Sequence, residues 1–126
     1  MATTLSTAAR DAAANAIVDL IDGGTTDANG DLVIQTAGDA EVATLALTNP
    51  AFGNAATGVA TAATISSDTT ATGGTAANFI LQNRDNVEVV RGDVATSGAE
   101  LNLSSVNIGA NDTVSVSALT LTVPAS

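Results

Sequence analysis

A chain of 126 residues is the size of one ordinary domain, long enough to bury roughly two thirds of its unfolded surface. Its 13 acidic residues face only Arg10, Arg84 and Arg91, a formal net charge of −10. That balance excludes the phosphate-neutralising patch nucleic acid requires and argues against an anionic membrane surface, so neither nucleic acid nor membrane is expected as a partner.

Aromatic residues amount to 2%, namely Phe52 and Phe79, and much of the 45% hydrophobic fraction is alanine. The core must come from Val, Ile, Leu, Ala and threonine methyls, which bury less area each and stabilise a monomer less per residue. Burial against neighbouring copies would offset the deficit. There is no His, Cys, Trp, Tyr or lysine, so imidazole bases, thiol nucleophiles, Schiff-base amines and phenol acids are missing. The expectation is a protein that is not an enzyme and carries no cofactor and no metal.

The first residues, MATTLSTAARDAAANAIVDLIDGG, lack the basic start and apolar run of a signal peptide, and no window is apolar enough to span a bilayer. They predict a helix instead. Ser6 or Thr7 can cap it, alanines fill it, and Gly23-Gly24 supplies the stop. Ala13, Ile17, Leu20 and Ile21 share one face, with Ala9 one turn back and Arg10 at the edge, while Asp11, Asn15, Asp19 and Asp22 form a polar face. The stripe Ala13, Ile17, Leu20, Ile21 is the candidate interface, docking on its own domain or reaching another subunit. Residues 1–23 are thus expected to form a helix or arm and residues 24–126 a single domain.

From residue 31 the pattern changes to short β-branched runs punctuated by Gly, Asn, Asp and Pro. Strands are expected near 31–36, 42–48, 59–66, 78–83, 87–91, 100–103 and 113–123. Seven or eight short strands after one N-terminal α-helix predict a mainly β fold, a β-sandwich of jelly-roll or immunoglobulin-like type. In TVSVSALTLTV the apolar parity switches near Ala118-Leu119, which demands a bulge or a crossing between sheets. EVATLALT has no strongly polar face, the kind of surface that serves either as a subunit interface or as a bland solvated one.

The stretch NFILQNRDNVEVVRGDV, residues 78–94, reads as a hairpin. Phe79 and Leu81 share one parity, Val87 and Val89 share one, and Asp85 or Asn86 tolerates the left-handed backbone of the turn. Arg91-Gly92-Asp93 spells an adhesion tripeptide, but it abuts β-branched residues on both sides, so Gly92 is expected to matter for geometry, as a bulge or second turn.

The remaining motifs are weak. Asp68, Asp85, Asp93 and Glu100 formally allow a carboxylate pair, yet glycosidases and sugar-binding modules grip their ligands with aromatic platforms this chain lacks. DANGD at 27–31 begins like a calcium loop, but Leu32 and Gly38 stand where such a loop needs glycine and glutamate, and an Asn-Gly turn explains it better. ATGGT lacks the lysine and helix start of a phosphate cradle.

Four segments together, VDLIDGGT, LALTNPAFGNAATGVATAATISSDT, GTAANFILQNRDNVEVVRGDV and GANDTVSVSALTLTVP, resemble small virion structural proteins of tailed bacteriophages. The resemblance spans nearly the whole chain and brings no catalytic motif. It implies a capsid decoration, or cement, protein: a homo-oligomer, dimer or trimer, assembled in the host cytoplasm and seated on the major capsid protein at the virion surface. A tail or fibre-associated subunit that binds host glycan or receptor is the alternative implied.

Overall fold

In a computed structural model, which describes residues 3–125, Ser6 is the one of the two expected cap residues, Ser6 or Thr7, that caps the helix. Its hydroxyl accepts from the Ala9 N–H at 3.1 Å, satisfying one of the amides that a helix start leaves free. The helix, α1, runs Thr7–Ile21 and buries Ala14, Val18 and Ile21. Nine strands follow among the described residues: β1 (Asp31–Gln35), β2 (Glu41–Ala46), β3 (Val59–Thr61), β4 (Gly74–Thr75), β5 (Asn78–Gln82), β6 (Glu88–Ala95), β7 (Leu101–Asn102), β8 (Asn107–Ile108) and β9 (Thr120–Thr122).

Five strands form one sheet in the order β2-β1-β5-β6-β7, antiparallel except for the parallel pair β6–β7. Two ribbons, β3–β9 and β4–β8, stand apart from it. Strand alternation sends Leu32 and Ile34 of β1, Ala43 and Leu45 of β2, and Phe79 and Leu81 of β5 to one face. There they join Ile21 of the helix, Ala60 of β3, and Val114, Val116 and Leu119 in a single hydrophobic cluster. Each fully buried leucine or isoleucine in it adds about 1.5–3 kcal/mol. On the opposite face Val33, Ile80 and Arg91 are cross-strand neighbours in one row.

The predicted mainly β fold with one N-terminal helix is the observed one. Three strands are shorter than their sequence suggests. Strand pairing near residue 59 ends at Thr61, and the run near 100 reduces to Leu101–Asn102. The segment 113–123 is not one strand: Val114 bridges to Asp68, whereas Thr120–Thr122 pairs with β3. The parity switch marks that change of partner, since Val114, Val116 and Leu119 are all buried although 116 and 119 have opposite parity. The ribbon β4–β8 was invisible because two residues on each side carry no periodic signal.

The hairpin forms as predicted. Asn86 takes the left-handed conformation, φ 63°, and the Asn83 carboxamide oxygen accepts from the Asp85 and Val87 amides at 2.9 and 3.0 Å, an Asx-type turn.

Candidate functional site

The helix shows how the acidic side chains are used. Asp11, Asn15 and Asp22 lie four and then seven residues apart, hence on one stripe of α1. Instead of facing water they hold the segment 51–58. Asp11 Oδ1 accepts from the Gly58 N–H at 2.6 Å, Asn15 Oδ1 from the Ala55 N–H at 2.8 Å, and Asp22 Oδ1 from the Ala51 N–H at 2.8 Å. Arg10 closes the row, its Nε donating to the Val123 carbonyl at 2.8 Å.

This row fixes where the candidate interface residues stand. Ile21 is 0% exposed and belongs to the core of its own domain, Ala13 and Ile17 are half-buried, and Leu20 is 61% exposed. Leu20 is therefore the member of the stripe that projects furthest into solvent. Val87 in the hairpin turn and Leu5 before the helix are the other large apolar side chains well exposed among the described residues.

Carboxylates elsewhere do the same work. Asp68 holds the Thr44 and Thr70 amides, Asp85 those of Thr25 and Thr26, Glu100 that of Asp93, and Asp112 that of Gly109. With Asp11 and Asp22, six of the 13 acidic side chains thus hold main-chain N–H groups. Ionised acceptors make the stronger hydrogen bonds, so acidity here ties loops together. The two amides on Asp85 hold its carboxyl below the usual carboxylate range. Asp31 moves the other way: burial pushes its carboxyl up, and the nearby charge of Asp27 adds to the effect. Among the described residues no group of three His, Cys, Asp or Glu side chains comes together as a metal site.

Arg91-Gly92-Asp93 lies inside β6, not in a protruding loop. The Arg91 guanidinium is held by Asp39 and Glu88, each at 2.9 Å, and these partners favour its charged form. Gly92 is neither a bulge nor a second turn; it pairs in register with Phe79. Its role is space, since a β-carbon there would stand 2.5 Å from Phe79 Cε1.

Between β6 and β9 the core opens to the surface in a cleft of about 290 Å³. Phe52, Phe79, Leu81 and Leu121 form its apolar floor, and Arg91, Glu100, Thr120 and Thr122 stand around it. Both aromatic residues of the chain are in that floor. The sequence shows their apolar parity but cannot show that β6 and β9, some thirty residues apart, flank one opening. A second cleft of about 210 Å³ is polar, with Ser104, Ser105, Asn107 and Asp112 among its lining residues.

Comparison of the chain with protein-family models, with curated proteins and with solved structures found no match.

Proposed function

We propose that this chain is a non-enzymatic virion structural protein, a homo-oligomeric decoration or cement protein that stabilises a phage head by seating on the major capsid protein. The observation that carries the reading is the use of the acidic residues as ties to the chain's own main chain. Polar chemistry that an enzyme would direct at a substrate is directed here at holding loops in place. The sequence resemblance to small phage virion proteins supplies the setting.

We place the five-stranded sheet and the β3–β9 ribbon as opposing layers of a β-sandwich, a reading supported by the shared hydrophobic cluster of Leu32, Leu45, Phe79, Ala60 and Leu119. Self-association would cover Leu20 and relieve the small-residue core, since apolar area removed from water stabilises at about 25 cal/mol per Å².

Two measurements test the proposal. Quantitative mass spectrometry of purified virions should show the chain at a simple symmetry fraction of the major capsid protein. A handful of copies would move it to the tail, and absence from particles would refute the virion role. Sedimentation of Leu20→Glu should show a smaller species than the parent; unchanged assembly would remove the helix stripe from the interface.

A further inference from the structure

The cleft between β6 and β9 is bordered by two strand edges that have no strand partner among the described residues on the side that faces it. Within the β3–β9 ribbon the Ala62 N–H donates to the Leu119 carbonyl and the Val123 N–H to the Gly58 carbonyl. Antiparallel ladders alternate, so Leu119, Leu121 and Val123 direct their main-chain groups at β3. Thr120 and Thr122 direct theirs away from it, and both residues line the cleft.

The same reasoning applies to β6. The Val94 N–H donates to the Ala77 carbonyl, and in that register Gly92 and Val90 bond to Phe79 and Leu81 of β5. Arg91 and Asp93 therefore turn their main-chain groups away from β5. On that side β7 pairs only with Val94 and Ala95. The Asp93 N–H is taken by Glu100 Oε2 at 3.1 Å, which leaves the main chain of Arg91 facing the cleft.

We infer that the cleft is a strand-acceptor slot. An extended segment of another protein lies between β6 and β9, bonds to the main chain of Arg91 on one wall and of Thr120 and Thr122 on the other, and seats branched aliphatic side chains on Phe52, Phe79 and Leu121. Unpaired strand edges recruit strands, and here an apolar floor rewards the alternate side chains of the guest. At about 3.3 Å per residue, the three residues of β9 match a guest of about three to four residues.

Charge selects the guest. Asp39 and Glu88 both pair with the cation Arg91, which leaves Asp93 on β6 and Glu100 at the cleft as further acidic groups. A second copy would bring a further net charge of −10 to this rim, so the slot favours a segment flanked by lysine or arginine. This inference does not depend on a virion setting.

The test uses the full chain and a synthetic peptide of alternating valine and threonine between lysine flanks, followed by amide hydrogen exchange with NMR. In the free protein the amides of Arg91, Thr120 and Thr122 should exchange fast, and peptide should protect all three. Thr122→Pro removes an N–H aimed at the slot and none aimed at β3, the one place a strand edge tolerates proline. It should weaken binding about tenfold at unchanged melting temperature. A peptide N-methylated at the amides facing β9 should show the same loss without altering the protein, and glutamate flanks should weaken binding further. Protection that maps elsewhere, that fails at every peptide concentration, or that rises with protein concentration alone would overturn the inference.

Discussion

Gly92 and Phe79 face each other across β6 and β5, and the ring of Phe79 fills the space that any side chain on Gly92 would need. The glycine of the adhesion-like tripeptide is thus a packing residue, the Arg91 guanidinium is held by Asp39 and Glu88, and the main-chain N–H of Asp93 is taken by Glu100.

Gly92→Ala should destabilise the fold by about 1–3 kcal/mol, the usual cost of forcing extra volume into a packed site. Urea denaturation reads it directly. Adding Phe79→Leu should recover part of the loss by removing the obstructing ring, and strict additivity of the two changes would show that they do not meet.

Asp11→Ala should cost about 1–2 kcal/mol, because it deletes a charge-assisted bond of 2.6 Å and leaves the buried Gly58 amide unpaired. Asp19→Ala on the same helix alters an exposed residue and should stay within about 0.5 kcal/mol. Equal effects at the two positions would mean that the helix is not held by its polar stripe.

Gln35 is 8% exposed, and its Oε1 is buried without a hydrogen-bond partner among the described residues. An unpaired buried acceptor is a liability, whereas an apolar side chain of similar shape is not. Gln35→Met should therefore raise stability by about 1 kcal/mol. A fall in the denaturation midpoint would reveal that this oxygen has a stabilising partner in solution.

The two shifted carboxyls act in opposite directions on the pH profile. Asp85 has its folded value lowered by the Thr25 and Thr26 amides, so its contribution is present above the ordinary carboxylate range and disappears as pH falls through the lower, folded value. Asp85→Asn should flatten that acid limb. Asp31 has its folded value raised by burial and by Asp27, so ionising it opposes folding increasingly as pH rises from its unfolded to its folded value. Asp31→Asn should therefore gain stability at neutral pH and match the parent in acid, where both side chains are neutral. Thermal melts from acid to neutral pH test both, and a gain for Asp31→Asn that persists in acid would refute the assignment.

Local chemistry sets the ends of the helix, whereas tertiary contacts decide what its faces meet. A cap at Ser6 or Thr7 and the Gly23-Gly24 stop follow from local backbone chemistry, and the observed helix, capped by Ser6, obeys them. In one dimension Asp11, Asn15 and Asp22 read only as part of a polar face, because only the amphipathic contrast with the apolar stripe is visible there. Its acceptors find the free amides of residues 51–58, which arrive from some forty positions away.

Periodicity and turn chemistry alone determined that this chain is mainly β with an N-terminal helix, that residues 78–94 form a hairpin, and that the apolar parity switches near Ala118-Leu119. All are properties of neighbouring residues, set by sterics and by the period of two. Tertiary structure decided what alternation cannot encode: that β6 and β9 flank one cleft, that Gly92 yields to Phe79, and that acidic side chains tie distant loops. Each depends on which remote segments meet, and loop closure and packing of the whole chain determine that.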